Sequence, residues 1–546
     1  MPTSVATTVT NPNHSSSRRG FLKGLGYTAA SAVALPAMTG VLSTEAQANL
    51  QATATPYSYR KNRSLFLRYT AATLNYKMRD PVQTPNKDEL LYSGRIANFS
   101  KGLPHNDLGE VDPNAYDKFL IAVSTGKPAD YEAIPMAGTV KLANPQAALA
   151  YQFEGMDSHA FEAPQFSPIN SEQMAGEMVE LYWHALTRDV PFSQYGQEAQ
   201  TSAAITELRR FSQYQGVNAA TLFRGKTPGE ATGPLVSQFL WQDVPSGAMS
   251  VAQRCKLPVA GDVHMTNYAD WLAIQRGSAA KTSITYDNTL RYIRNAHDLS
   301  EWVHQDFSFQ AFQHAALILM GIKAQRDTHP YSASLSQSPF ITFGGPHILD
   351  MVAKACYAAL KACWYQKWQV HRSLRPEVLG GRVHNHIRGA ARYPLHSGLL
   401  NAQAVQNTFS RYGTYLLPQA FPEGSPTHPS YPAGHAAIAG ACVTVLKAFF
   451  NESYVLPNAV IASDDGLNLL PFNGAALTVG GELNKLAGNI AFGRNYAGVH
   501  YRQDGYQGML LGEKVALQLL IESKMLLNEG NFTFTLSKFN GETISF

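Results

Sequence analysis

The sequence predicts a mainly α-helical protein, built as packed helical bundles with a short C-terminal β-hairpin. Three observations carry this expectation. Apolar residues recur at i, i+3 and i+4 through most of the chain after Asp298; three glycines repeat at helical spacing in one late segment; and the tail from Phe532 to Phe546 alternates with period two.

Taken in order, the first 48 residues differ from the rest. Ser17-Arg18-Arg19-Gly20-Phe21-Leu22-Lys23 is a twin-arginine pattern, followed by a mildly apolar stretch, Gly24 to Leu42, that contains Pro36. Ala46-Gln47-Ala48 supplies small residues of the kind a signal peptidase reads. The expectation is a twin-arginine signal peptide over 1–48 and export to the periplasm or beyond. No later run reaches the roughly 18 apolar residues a spanning helix needs, so the mature protein should have no membrane span.

Residues 49–297 read as irregular segments and short helices packed on a larger body. Helical patterns begin at Ser171 to Trp183 and Ala199 to Phe211, and Gly and Pro mark a long loop from Gly225 to Pro258. Residues 298–546 read as the helical bundle. Leu299, Val303, Phe307, Ala311 or Phe312, Ala315, Leu319 and Met320 form one stripe. Ile348, Met351, Val352, Ala355, Cys356, Ala359, Leu360 and Cys363 form another. Further helices are expected from Pro432–Gly434 to Phe449, from about Gly481 to Ala491, and from Asp504 to Met525, where Gly505, Gly508 and Gly512 leave room for a close neighbour. Asn540-Gly541 suggests a type I′ turn in the terminal hairpin.

Composition narrows the class. With 45% apolar and 15% charged residues in 546, and a formal charge of +4, this is an ordinary globular chain. No Lys/Arg block points to nucleic acid. The four cysteines form no C-x-x-C pair; Cys356 and Cys363 lie about 10.5 Å apart along one helix, too far to bridge each other. They are expected as small buried hydrophobes, with pairing to Cys255 or Cys442 left open.

Three distant segments place cationic residues at helix edges. Lys367 and Arg375-Pro376 follow the Ile348 helix. Ser425-Pro-Thr-His428-Pro429-Ser-Tyr-Pro432-Ala433-Gly434-His435 leads into the next helix, whose first backbone N–H groups form a natural anion seat. Gly493-Arg494 and Val499-His500 lie in what reads as a loop before the glycine-strip helix. Together they offer charge and forked donors to an oxyanion, a directional Gly434 amide, one histidine to bond a central atom and another to move protons.

K-x7-R-P, P-S-Y-P-x-G-H and R-x5-H-x3-D, in this order, resemble the vanadium-dependent haloperoxidases, relatives of the bacterial acid phosphatases and lipid phosphate phosphatases (PAP2). The S-P-T-H-P-S-Y-P run and G-R-N-x-x-G-V-H-Y-R-x-D-G are similar to the bromoperoxidase branch, over about Asp298 to Leu520. The resemblance implies a haloperoxidase/acid-phosphatase-like fold, a catalytic domain at 298–546 and a vanadate cofactor. It implies His500 as the axial ligand, with Lys367, Arg375, Arg494 and the Gly434 amide on the oxygens. His435 would be the acid–base residue and His428 the extra active-site histidine of bromoperoxidases, while Asp306 would orient Arg494. Partners would be hydrogen peroxide, halide and small organic acceptors, in a homo-oligomer. The chain departs from the family at Ala433, where a Ser is usual, which puts halide preference in doubt. Two other readings fit the same residues: a phosphatase forming a phosphohistidine at His500, and a non-catalytic exported oxyanion-binding protein.

Overall fold

Helices dominate the computed structural model, which describes residues 57–546; the twin-arginine segment lies outside the described residues. The principal helices are α1 (Tyr57–Lys77), α2 (Pro113–Thr125), α3 (Glu172–Thr187), α4 (Ala296–Gln305), α5 (Gln310–Gly321), α6 (Gly345–Tyr365), α7 (Pro376–Ile387), α8 (Gly434–Phe449), α9 (Val479–Tyr496) and α10 (Arg502–Lys524). Strands occur among the described residues only as three two-stranded hairpins, β1–β2 (Val244–Ser246, Met249–Val251), β3–β4 (Val460–Ala462, Leu469–Pro471) and β5–β6 (Thr535–Ser537, Thr543–Ser545). No described helix is long and apolar enough to cross a membrane.

Local chemistry explains the main boundaries. Ser171 caps α3 by accepting from Met174 N at 3.1 Å, and Asn295 caps α4 by accepting from Asp298 N at 2.8 Å. α1 escapes the sequence reading because its apolar residues, such as Leu65 and Leu67, alternate with Arg60, Lys61, Arg63 and Arg68 and form no clean stripe. α3 is buried on nearly every side, so Met178, Leu181 and Trp183 share one hydrophobic core with Val352, Ala437 and Leu486 from beyond residue 298.

Four sequence expectations change. The Leu299–Met320 stripe is two helices: α4 stops at Gln305, Asp306 turns extended, and Phe307 is exposed. Arg494 sits in the last turn of α9, not in a loop; Gly493 lies inside that helix, where a Cβ would meet Val303 Cγ2 at 3.0 Å, and the chain turns only at Gly498, with φ of 86°. The terminal hairpin lacks a type I′ turn. Gly541 alone has positive φ, its N–H donates to Lys538 O at 2.9 Å, and Lys538 N donates to Glu542 O at 2.8 Å, the pattern of a type I turn with a glycine bulge. The 225–258 loop holds β1–β2.

Small residues let α8 and α10 nearly touch. A Cβ on Gly512 would lie 2.0 Å from Ala437 O, and one on Gly440 2.0 Å from Met509 O. All four cysteines are free; Cys356, Cys363 and Cys442 are buried, and the Cys363 thiol donates to Pro432 O at 3.3 Å, tying α6 to the lead-in of α8.

Candidate active site

α6 does not end cleanly. Its chain continues through a π-helical stretch, Gln366–His371, before Arg372 takes a left-handed conformation with φ of 44°. Such a widened turn rotates the residues it carries. Here it buries Lys367, whose Nζ donates to Pro429 O and Ser430 O, both at 2.6 Å. The stretch is held from outside by Trp368, which packs on Phe99 and on Phe119 of α2 at centroid distances of 5.6 and 6.0 Å. Arg375 stays extended before Pro376, as the proline demands, and begins α7.

Arg375 joins all three segments. Its Nε donates to His428 O at 2.9 Å, Nη1 to Val499 O at 2.8 Å and to His500 Nε2 at 3.0 Å, and Nη2 to His428 Nδ1 at 3.0 Å. His500 Nδ1 lies 2.8 Å from Asp504 Oδ2. That carboxylate defines the tautomer: Nδ1 carries the proton and Nε2 keeps its lone pair on the side of Arg375. Asp504 Oδ2 also accepts from Tyr501 N at 3.1 Å and from the Ser430 hydroxyl, while its backbone oxygen accepts from Ala433 N at 3.0 Å. One residue at the start of α10 thus orients the histidine and holds the start of α8.

At that start Ala433 provides no side-chain cap, so the first helical amides of Gly434, His435 and Ala436 are left for another acceptor. His435 Nε2 meets Asp306 Oδ1 at 3.0 Å. This corrects the expected pairing of Asp306 with Arg494. The break after α4 aims the carboxylate at His435, and Arg494 Nη1 instead donates to Val303 O at 3.2 Å. Asp306 acts on Arg494 through its charge alone, raising its proton affinity. The Arg494 guanidinium lies 5.4 Å from the Phe421 centroid, and its buried Nε–H has no partner.

The electrostatics have one sign. Burial, then neighbouring positive charge, pushes Lys367 down to about 7 and Arg375 down to about 9, and burial also depresses Arg494. Burial and the nearby Arg375 and Lys367 hold His428 and His500 well below the usual histidine range, so both are neutral. Burial raises Asp504 to about 6. Three crowded cations, a neutral imidazole lone pair, an orphaned guanidinium N–H and uncapped helix amides suit a small oxyanion with a Lewis-acidic centre; the donor set therefore fits vanadate.

The structure brings together every residue the motifs singled out: Lys367, Arg375, His428, Gly434, His435, Arg494, His500 and Asp306. Sequence reasoning missed four neighbours. Asp504 stood inside a quoted motif without a role, four residues after His500 on the approach to a helix, a spacing that could have disclosed it. Trp364, one turn before Lys367, packs 4.8 Å from the His428 ring centroid. Ser430 likewise stood inside the P-S-Y-P run without a role, and Phe421 carried no signal.

Residues 347–529 match the VCPO second helical-bundle domain. The sequence is 36% identical to a vanadium-dependent bromoperoxidase of Ascophyllum nodosum, over 90% of this chain and 93% of the relative. It is 32% identical to the vanadium-dependent bromoperoxidase of Corallina officinalis, over 89% and 98%. The fold superimposes on the homohexameric structure of the second vanadate-dependent bromoperoxidase of Ascophyllum nodosum with a TM-score of 0.87, at 29% identity and 94% coverage of each chain. The chain belongs to the vanadium-dependent haloperoxidase family.

Proposed function

We propose that this protein is a vanadate-dependent bromide (or iodide) peroxidase that converts halide, hydrogen peroxide and one proton into hypohalous acid and water, the acid then halogenating small organic acceptors. One observation carries the reading: three buried cations, Lys367 and Arg375 depressed by burial and neighbouring positive charge and Arg494 by burial, converge on a neutral histidine whose Nε2 is kept unprotonated by Asp504 and accepts from Arg375. An oxyanion relieves that repulsion, so binding and protonation reinforce each other.

In this reading His500 Nε2 holds the vanadium, and Lys367, Arg375, Arg494 and the Gly434 amide hold its oxygens. Bound vanadate supplies a Lewis-acid centre that makes peroxide electrophilic toward halide without changing oxidation state. The chain does the rest. Asp306 keeps the His435 Nε2 proton and leaves Nδ1 to take and return protons at the reacting oxygens. Lys367, fixed by two carbonyls, meets the negative charge that develops as halide attacks. His428, neutral and packed on Trp364, offers the incoming halide a site without a competing counter-charge.

The phosphatase reading uses His500 as nucleophile in the same cage. Relatives aligned over nine-tenths of the chain are bromoperoxidases, which favours peroxide chemistry. A non-catalytic binder would have no use for the Asp306–His435 pair. Orthovanadate added to metal-free protein with peroxide, bromide and a phenol-type acceptor is expected to restore bromination in proportion to vanadate bound. Hydrolysis of a phosphate ester, blocked by vanadate, would decide for the phosphatase.

Asp504→Ala tests the tautomer. Nδ1 of His500 would lose the acceptor that holds its proton, so vanadate affinity is expected to fall about 10- to 100-fold. Equilibrium dialysis with metal analysis reads this directly; undiminished retention would remove Asp504 from the site.

Export follows in this proposal from Ser17–Lys23 and Ala46–Ala48, and a homo-oligomer from the likeness to a homohexamer.

A further inference from the structure

At the end of α4 a second charged cluster lies against the site. His304 Nε2 meets Glu423 Oε1 at 2.7 Å and its Nδ1 meets Glu301 Oε2 at 3.1 Å, bridging α4 to the loop that leads to His428. Its ring stacks on Phe421, with centroids 3.8 Å apart and 11° between planes. Phe421 is also the ring beside the Arg494 guanidinium.

We infer that His304 is a positioning residue for Arg494, its imidazolium neutralising Glu301 and Glu423 and holding Phe421 as the platform on which Arg494 is aimed at the oxyanion. Both carboxylates act on Arg494 through their charge. Without a cation between them they would draw Arg494 toward themselves and repel an anion in the cage, and both effects weaken oxyanion binding. Aromatic stacking adds to the clasp, since a ring face attracts cations. The same loop is gripped from behind by Lys101, which donates to Glu423 O at 2.7 Å and Ser425 O at 2.6 Å.

The groups around His304 set its charge. Burial opposes protonation, but Glu301 and Glu423 overcome it and hold the imidazole up to about 9. Tyr286 donates to Glu301 at 2.7 Å, Lys101 and His264 sense Glu423, and Arg494 lies beyond Phe421. The proton affinity is raised, so the clasp is intact below the ordinary histidine range and is lost as pH rises through about 9.

The inference rests on the oxyanion reading above, and the test separates them. Orthovanadate affinity is measured by equilibrium dialysis from pH 7 to 10 for the wild type, His304→Gln and His304→Arg. His304→Gln is expected to bind about fivefold more weakly at pH 7, with the ratio to wild type approaching one above pH 9. His304→Arg keeps a planar cation and is expected to bind like wild type at pH 7 and more tightly than wild type at pH 10. Dividing by wild type removes the titration of vanadate itself. Equal affinity of His304→Gln and wild type at pH 7, or His304→Arg as weak as His304→Gln, overturns the inference while leaving the oxyanion site standing. A wild type that binds no vanadate overturns both.

Discussion

His500→Ala is expected to lower vanadate affinity by more than about a hundredfold, because losing the ligand itself should exceed the 10- to 100-fold effect of losing its orienting partner. Arg375 Nη1 would keep Val499 O as acceptor, and Asp504 would keep Ser430 and Tyr501 N, so the cage should survive in outline. What disappears is the imidazole lone pair whose tautomer Asp504 fixes. The three cations should still attract an oxyanion weakly, so residual binding should fall steeply with added salt, which direct coordination by the wild type would resist. Equilibrium dialysis at low and high salt, with thermal melts of the metal-free protein as a folding control, measures both parts. Wild-type retention by His500→Ala would end the assignment of the ligand.

His435→Ala is expected to behave in the opposite way. Vanadate should stay within a few-fold of wild type, because His435 supplies no ligand and its backbone amide at the first turn of α8 is retained. Turnover with bromide should fall about 10²- to 10⁴-fold, the usual contribution of a positioned acid–base group. The His435 side chain is 29% exposed and its partner Asp306 only 4%, so the proton route opens to solvent on the histidine side. Small amine or imidazole bases should therefore enter and restore part of the rate. Steady-state bromination with and without imidazole checks this; a fully active His435→Ala would show that the proton travels elsewhere.

The chemistry of the site was legible in the chain because it is written in short motifs. Arg375, His428, His435, Arg494 and His500 each sit within a few residues of a proline or glycine that disciplines the local backbone, while Lys367 stands nine residues before Pro376. Arg375 is extended because Pro376 follows it, and the amides after Ala433 are free because nothing caps them. The glycine strip likewise announced a close helix contact, realised between α8 and α10. Less was legible wherever a residue acts through something distant in sequence. Asp306 was sought as a partner of Arg494, yet a break in an apparently continuous stripe delivers it to His435. Phe307 belongs to that stripe by periodicity and is exposed, since spacing cannot reveal that a helix has ended. Arg494 read as a loop residue because the helix was expected to end near Ala491, whereas α9 runs on to Tyr496 with Gly493 leaving room for Val303.

Residue types and their spacing thus determined which groups could meet an oxyanion and on which helix ends they would stand, since backbone preference and periodicity act within a few residues. Which carboxylate serves which base, which carbonyls hold Lys367, and how Phe421 comes to lie between His304 and Arg494 were decided by tertiary structure alone. These are contacts across more than sixty residues of chain, made when burial forces each polar atom to find whatever partner the packing brings within reach.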